Sequence, residues 1–265
     1  MGLKTWNNNG FWSNAKAIWT LNDDSLGTSA SVVELVTGDT ITPDAGVTAN
    51  TSGTYGYGFN INADASFNSN GYALTNGVSF QAGSAGWGLT GWTVFAALNA
   101  FTTALTSGSL YLFSATSAAV TVPTFKFGSA AATTPILSNG TTTEITGTSA
   151  GTNTAFNIAG TGAFGTSQTW TLYENGSSVG TPVVLSNAGT TATVKRLGGV
   201  AGQGKTMVAS VFCIAIFEGQ IGSTDLATLV GSMTGSGACA LWTTASPPST
   251  QNQLFFNRRY VVIPN

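Results

Sequence analysis

The sequence has no histidine, and only 7% of its residues are charged, against about 25% in an average soluble domain. The lack of histidine excludes catalytic triads with an imidazole base and most zinc sites. The net charge of −2 provides no broad cationic surface, and the basic pairs Lys195-Arg196 and Arg258-Arg259 are too small to follow a phosphate backbone. We therefore expect no nucleic-acid partner and no histidine-dependent catalysis.

Long apolar runs are also absent. No stretch approaches the roughly 18 consecutive apolar residues of a membrane-spanning helix, and the N-terminal residues Met1–Gly10 lack the apolar core of a signal peptide. We expect no membrane span and, if the protein leaves the cell, a route such as lysis. The cysteines, Cys213 and Cys239, lie in apolar surroundings without metal-ligand spacing. They are either a buried reduced pair or a disulfide, and the sequence leaves both open.

What the chain has instead is small and uncharged polar residues. It contains 34 glycines and long tracts of Thr, Ser, Asn and Ala, yet 42% of its residues are hydrophobic. A chain of this length can bury a large core. Its solubility must come from hydroxyl and amide groups, because charge is scarce. Such a surface suits a protein that is packed into an assembly or lies outside the cell.

Short strand patterns recur at a spacing of roughly 8–14 residues, without a fixed repeat. They are rich in aromatic and β-branched residues and are bounded by Gly, Asn, Asp and Ser. These patterns predict an all-β fold, a two-sheet antiparallel β-sandwich. The clearest are Lys16–Leu21, Ser31–Val36, Tyr57–Ile61, Trp87–Leu98, Leu110–Phe113, Thr124–Phe127 and Thr169–Tyr173.

The stretch from Gln168 to Gly231 predicts how the sandwich closes. Asn175-Gly176 is a strong hairpin signal, because both central residues of a type I′ turn need positive φ. In the strand before it, alternation places Trp170 and Leu172 on one face and Thr171 and Tyr173 on the other. The apolar run Phe212–Phe217 predicts a strand covered on both faces. Ser223–Gly231 predicts a short helix capped by Ser223, with Leu226, Leu229 and Val230 on its apolar face.

The order of these motifs resembles the laminin-G-like, concanavalin A-like jelly roll, from about residue 16 to 245. That family has an opening aromatic-Thr-Leu-Asn/Asp-Asp strand, a Gly-x-Gly-Phe-x-Ile strand, a Leu-Tyr-x-Asn-Gly hairpin and one short closing helix. The segments that carry the resemblance are Ile18–Asp24, Gly56–Ile61, Trp92–Phe95, Leu172–Gly176, Arg196–Gly199, Ile214–Phe217 and Ser223–Leu229. The resemblance implies a jelly-roll sandwich with one short helix near its C-terminal end. The Gly/Thr/Ser/Ala-rich composition further resembles that of phage structural proteins such as capsid decorations, head fibres and tail fibres.

The predicted sandwich, residues 16–245, is flanked by two distinctive segments. Residues 1–15 form an aromatic arm whose rings either dock onto a neighbouring protein or cover this domain's own sheet edge. Residues 246–265 form a tail that begins with Ser246-Pro-Pro-Ser249, a linker signal. The candidate assembly contacts in these segments are Trp6, Phe11, Trp12, Arg258 and Arg259.

Enzymatic chemistry is poorly supported. A retaining glycosidase on this fold needs two carboxyls about 5 Å apart, and relatives of this fold supply them from a Glu-x-Asp-x-x-Glu strand. None of the glutamates Glu34, Glu144, Glu174 and Glu218 begins that pattern. The segment Gly199–Thr206 fits the phosphate-loop spacing, but a strand-like run follows it where a phosphate loop would open a helix. We interpret it as a hairpin loop and expect no enzyme and no catalytic residues.

Two kinds of binding site remain as hypotheses. The resemblance implies a structural calcium ion on the rim of the sandwich, for which Asp23, Asp24 and Asp64 offer carboxylate oxygens. The alternative for these residues is local Asx turns. A carbohydrate site would need exposed aromatic rings beside amides, and the candidates are Trp87, Trp92, Tyr55 and Tyr57. Alternation along the strands would send about half of such a set into the core.

The sequence predicts a non-enzymatic structural or decoration protein of a phage virion, with the sandwich exposed for adhesion. Its partners would be other virion proteins, further copies of itself in a symmetric homo-oligomer, and a cell-surface glycan. The alternative is a carbohydrate-binding, lectin-like module of a bacterial surface or secreted protein. A glycoside hydrolase is the third and weakest hypothesis. The expected location is the virion, or otherwise outside the cell.

Overall fold

A computed structural model describes the chain in segments. The described residues are 4–21, 32–43, 47–53, 56–61, 72–82, 91–99, 110–111, 113–115, 124–127, 134–138, 143–148, 155–163, 167–186, 190–197, 199–200, 205–206, 209–233 and 239–244. These segments are mostly β-strand, with a 3₁₀ helix at Gly10–Asn14 and one α-helix, α1, at Ser223–Ser232. No helix among them is long and apolar enough to cross a membrane.

The strands are numbered in chain order. The first ten are β1 (Lys4–Trp6), β2 (Ala15–Thr20), β3 (Val32–Val33), β4 (Thr40–Pro43), β5 (Val47–Gly53), β6 (Gly56–Ile61), β7 (Tyr72–Ala82), β8 (Trp92–Asn99), β9 (Leu110–Tyr111) and β10 (Phe113–Ala115). They are followed by β11 (Thr124–Phe127), β12 (Pro135–Ser138), β13 (Thr143–Thr146), β14 (Ala155–Ala163), β15 (Ser167–Glu174) and β16 (Ser177–Ser186). The last are β17 (Thr190–Leu197), β18 (Gly199–Val200), β19 (Lys205–Thr206), β20 (Ala209–Glu218) and β21 (Trp242–Thr244).

The largest sheet is built around β20. Its order is β16-β15-β14-β8-β20-β6-β5, and β2 also pairs with β20, so the sheet has eight antiparallel strands. The side chains of Val211–Phe217 are all buried, as predicted for a strand that is covered on both faces. The central position of β20 explains its unbroken apolar sequence.

Smaller sheets form the second layer of the sandwich. One has the order β10-β17-β7-β4-β3, and another has the order β13-β12-β11-β9. Leu137 on β12 lies against Gly160 of the large sheet, where an added Cβ would come within 2.6 Å of its Cδ1 atom. The fold is therefore the predicted all-β sandwich, although its second layer is divided between sheets where the sequence predicted a single one.

The opposite face of the large sheet is covered by helix α1 and by parts of two described segments, residues 4–14 and 239–244. A buried cluster joins sheet residues such as Phe95, Ala215 and Phe217 to Leu226 and Leu229 of the helix. Leu241 and Trp242 belong to the same cluster. We call this side the helix-covered face. Packing of its apolar side against this face stabilises helix α1, which would be too short to be stable in isolation.

The N-terminal arm lies on this face. Phe11 and Trp12 are half-buried, and their ring centroids are 5.3 and 5.8 Å from that of Phe217. Trp6 lies on β1, which pairs with β21, and it also packs against the cluster. Of the two alternatives for the arm, the described part adopts the second, covering this domain's own sheet. A contact of these partly exposed rings with a neighbouring protein stays a prediction.

Two local predictions are confirmed. The Asn175-Gly176 turn joins β15 to β16, with φ angles of 49° and 84°. The Gly-rich segment after β17 forms the small pairing of β18 with β19 and leads to strand β20. It opens no helix, so the hairpin interpretation holds and the phosphate-loop match is fortuitous.

Two others are wrong in detail. The helix starts at Ser223, but its N-cap is Gly222, and no side chain caps it. The strand predicted over Ser31–Val36 ends at Val33 in the described residues, which begin at Val32, and Leu35–Thr37 form a turn. That strand is cut short because the Glu34 carboxylate accepts hydrogen bonds from the following backbone groups of Val36 and Thr37, which curls the chain around it.

Candidate functional site

The best candidate site is a strip of the helix-covered face that the helix leaves open. In β15, Trp170 and Leu172 point into the sandwich, with 3% and 0% of their surfaces exposed. The alternate residues Thr169, Thr171 and Tyr173 therefore point outward, and all three are half-buried. The structure thus confirms the prediction that Thr171 and Tyr173 share one face of the strand.

Strand register extends this strip across neighbouring strands. Thr171 lies opposite Thr161 of β14, and Tyr173 lies opposite Ala159. On the other side, Thr169 lies opposite Val184 of β16, whose side chain is 63% exposed. Directly paired residues of an antiparallel sheet share a face, with Cβ atoms about 5 Å apart. We call Thr161, Thr169, Thr171, Tyr173 and Gln220 the threonine shelf.

Gln220 belongs to the shelf although it is remote in sequence. Its Nε2 atom donates a hydrogen bond to Oγ1 of the buried Thr161 at 3.4 Å, while Gln220 itself remains exposed. The turn that carries it is fixed from below by Thr93. The buried Thr93 hydroxyl donates to the Gly219 carbonyl at 2.8 Å and accepts from the Ile221 N–H at 2.9 Å. A further backbone bond, from Gly219 N to Gly91 O at 2.7 Å, ties the turn to β8.

The shelf contains hydroxyls, one amide and one phenol, all uncharged. Hydroxyl and amide groups both donate and accept hydrogen bonds, as sugar hydroxyls do. A tyrosine ring adds an apolar face next to a polar edge. Because these groups stand on strands or on a turn that is held at three points, they are preorganised for binding. The arrangement suits recognition of a neutral polyhydroxylated ligand better than chemistry.

Three glutamates whose side chains the structure describes hold parts of the fold together. Glu34 is completely buried and accepts four hydrogen bonds. Glu174 accepts from the Thr148 N–H at 2.8 Å and from its hydroxyl. Glu218 forms an ion pair with Lys16, with 2.5 Å between Oε2 and Nζ. Each of the three carboxylates already has protein partners.

Their positions also separate them. Glu174 on β15 and Glu218 on β20 have β14 and β8 between them in the sheet. Three strand spacings of about 4.8 Å put their backbones at least about 14 Å apart. Retaining glycosidases need carboxyls about 5 Å apart, and inverting ones about 6.5–9.5 Å. These two glutamates therefore do not form a glycosidase pair. Glu144 lies on β13, and its side chain is outside the described residues.

The prediction of Trp92 as a sugar-binding residue is wrong. Trp92 has 0% of its surface exposed and meets Trp170 edge-to-face, with 5.1 Å between ring centroids. It starts β8 with its side chain on the inner face, so no sugar can stack on it. Tyr57 lies on β6, with its side chain outside the described residues, as are Trp87 and Tyr55.

The remaining predicted site residues are not covered by the structure. Asp23, Asp24 and Asp64, the candidate calcium ligands, lie outside the described residues, as do Arg258 and Arg259 of the tail. Within the described segments, no three His, Cys, Asp or Glu side chains come together as a metal site. Calcium binding and tail contacts therefore stay predictions.

Comparison with known proteins bears on the fold alone. No protein-family model matches the chain, and no curated protein sequence is significantly similar. Among solved structures, it is similar to the binding domain of Paraclostridial Mosquitocidal Protein 1, with a TM-score of 0.59 and 11% identity over 84% of this chain and 53% of that one. It is also similar to Trypanosoma rangeli sialidase, with a TM-score of 0.55 and 12% identity over 84% of this chain and 34% of that one.

These similarities concern the fold of part of each protein. The chain spans about half the length of the first protein and about a third of the second. At such low identity the shared feature is the β-sandwich fold. Fold alone does not carry an activity, because sites are built on folds independently of one another.

Proposed function

We propose that this protein is a non-catalytic adhesive module that binds neutral carbohydrate on its threonine shelf, as an exposed component of a phage virion. The observation that carries the binding function is the shelf itself. It combines the partly exposed hydroxyls of Thr169 and Thr171, the amide of Gln220 held by the buried Thr161, and the Tyr173 ring on one sheet. One protein of similar fold, from Paraclostridial Mosquitocidal Protein 1, is a binding domain, which supports a binding function for this sandwich.

The absence of charge on the shelf favours sugar over other ligands. The described ion pair of Lys16 with Glu218 lies at the β2–β20 edge of the large sheet, two strands away from β14. A phosphate or a carboxylate ligand would call for arginine or lysine. Neutral sugars pair instead with amide, hydroxyl and aromatic groups. The proposed ligand is therefore a neutral glycan.

Glycan binding can be tested by placing a bulky charge on the shelf. We expect Thr171→Arg to reduce the affinity for a neutral glycan, identified on a glycan array, because the bulky charged side chain would occupy the shelf. The expected loss is at least about tenfold in affinity, which corresponds to about 1.4 kcal/mol. Thr228→Arg is the matched control, because Thr228 is exposed on helix α1 away from the sheet. Binding is measured by calorimetry and by the rise in melting temperature that saturating sugar produces.

The same experiment defines what would contradict the proposal. Equal glycan affinity of Thr171→Arg and the unchanged protein would remove the shelf as the site. If no neutral glycan raises the melting temperature even at high concentration, carbohydrate binding itself is wrong. Turnover of a bound glycan would contradict the non-catalytic part. The alternative of a secreted or bacterial surface lectin predicts the same binding without incorporation into particles.

The virion part of the proposal rests on composition, since a sequence with 7% charged residues that is rich in Gly and Thr suits a protein that is packed into an assembly. Removal of residues 246–265, the predicted tail, should abolish incorporation into particles. The readout is particle fractionation. Unchanged stoichiometry in particles would rule out the tail as the attachment segment.

Truncation of the arm is a poorer test of assembly. Loss of residues 1–15 would remove β1 and uncover Phe217, which Phe11 and Trp12 cover. The domain itself would be destabilised. Point variants of exposed residues such as Asn8 are the better probe of the arm.

A further inference from the structure

The two cysteines come together from distant parts of the chain. Cys213 lies in the middle of the central strand β20, and Cys239 follows helix α1 in the segment that leads to β21. They belong to the same buried cluster, with 0% and 5% of their surfaces exposed. Both are free, buried thiols, and Cys239 is near enough to Cys213 to raise the pKa of its thiol.

The surroundings keep this pair reduced in the closed protein. Burial raises the pKa of the Cys213 thiol well above its usual value, and the neighbouring Cys239 raises it further. Lys4 lowers it, but this effect is smaller. Only the thiolate attacks a disulfide, so the buried Cys213 thiol reacts slowly. Oxidation then requires that the Cys239 segment opens locally.

We propose that Cys213 and Cys239 form an intramolecular disulfide when the protein meets an oxidising environment, and that this bond locks the C-terminal segment to the centre of the sandwich. The inference is independent of carbohydrate binding. It rests on the proximity of the thiols and on their positions in the fold.

The oxidant is a small disulfide such as oxidised glutathione. After a local opening, Cys239 loses its proton and its thiolate attacks one glutathione sulfur, which breaks the glutathione disulfide and releases one glutathione thiolate. Cys213 then loses its proton, and its thiolate attacks the Cys239 sulfur of the mixed disulfide. The second glutathione leaves. Two electrons pass to glutathione, and the two released protons yield two glutathione thiols at neutral pH.

The bond would act next to the pairing of β1 with β21. The closed loop contains helix α1 and ends next to β21, which pairs with β1. The isolated pairing of Cys239 with Trp242 and the hydrogen bond from Leu241 N to Cys239 Sγ at 3.5 Å tie the cysteine directly to this segment. A disulfide would therefore resist separation of the terminal strands from the sheet. A disulfide that closes a loop of this size lowers the conformational entropy of the unfolded chain and so stabilises the folded protein.

The test uses the full chain, purified reduced and then incubated with oxidised or with reduced glutathione. We expect the oxidised sample to lose both thiols in a denaturing thiol assay and to yield one peptide that links Cys213 to Cys239. Its melting temperature should rise by roughly 5–10 °C, as expected for a loop of this size in a protein of this length. Dithiothreitol should reverse both changes. Low concentrations of urea should accelerate the reaction, because they favour opening.

The single variants Cys213→Ala and Cys239→Ala are the controls. Each keeps one thiol, so neither should gain stability on treatment with oxidised glutathione. If both thiols of the unchanged protein persist after opening in urea, or if glutathione adducts form without the internal cross-link, the proposal is wrong. A cross-link that leaves the melting temperature unchanged or lower would overturn the locking role.

Discussion

Gly162→Ala is expected to destabilise the protein by about 3 kcal/mol or more, although it adds a single methyl group. Gly162 of β14 lies between Trp92 of β8 and Trp170 of β15 in the strand register. The two indoles reach over it and meet edge-to-face at 83°. A Cβ at this position would lie 2.8 Å from Cζ2 of Trp92 and closer still to Nε1 and Cε2. The ring cannot withdraw without displacing Trp170, because both indoles are buried.

The measurement is urea unfolding, followed by tryptophan fluorescence, together with thermal unfolding. A loss of this size should lower the melting temperature by roughly 6–12 °C. Gly231→Ala is the matched control, because a Cβ there meets nothing within 4 Å. That change lies in helix α1 and should stabilise the protein by about 0.5–1 kcal/mol.

A double variant separates crowding from loss of backbone freedom. If the cost arises from the Trp92 ring, Gly162→Ala combined with Trp92→Phe should lose less stability than the sum of the two single changes. Additive losses would show that the overlap with the indole is not the cause. A cost for Gly162→Ala below about 1 kcal/mol would show that the tryptophan pair can move.

Local patterns in the sequence predicted much of the closing half of the fold. The alternation of Trp170 and Leu172 with Thr171 and Tyr173, the Asn175-Gly176 turn and the apolar run of β20 depend on neighbours within a few residues. Their physical causes, side-chain alternation and positive φ, can be seen in a short window. These features appear in the structure close to where they were expected.

The features that the sequence did not predict correctly depend on contacts between distant residues. Trp92 was a candidate for sugar stacking because strand alternation does not say which face is covered, and only the pairing with Gly162 and Trp170 turns it inward. The shelf residue Gln220 reaches Thr161 across the sheet, 59 positions away. The outward row of β15 was visible in the sequence, but nothing local indicated that an amide would join it.

The role of Glu34 also depends on a distant segment that the local sequence does not reveal. Glu34 lies within the predicted strand Ser31–Val36 and does not begin the Glu-x-Asp-x-x-Glu pattern of a glycosidase. The structure buries it completely and surrounds it with donors from two segments. Its role is to join the turn after β3 to strand β2.

Glu34→Ala is expected to cost about 3–5 kcal/mol of stability. Its Oε1 accepts from the Ile18 N–H at 2.5 Å and the Val36 N–H at 2.8 Å, while Oε2 accepts from the Thr37 N–H at 2.5 Å and the Thr37 hydroxyl at 2.6 Å. Truncation leaves the buried Ile18 N–H without a partner, which costs about 1–3 kcal/mol, and also removes the part-buried bonds from Val36 and Thr37. Glu34→Gln keeps the shape, but its NH₂ group meets N–H donors on one side. It should recover only part of the loss.

The matched control is Glu218→Ala, which removes a carboxylate of the same type from a partly exposed ion pair. The side chains of Lys16 and Glu218 are 38% and 27% exposed, so solvent screening limits the pair to about 0–1 kcal/mol. Urea unfolding of the three variants therefore should rank Glu34→Ala as the most damaging and Glu218→Ala as the least. Equal losses for Glu34→Ala and Glu218→Ala would refute the role of Glu34 as the bond that holds the turn to β2. Because Ile18 belongs to the buried cluster, hydrogen exchange should also quicken at its amide in Glu34→Ala, and not in Glu218→Ala.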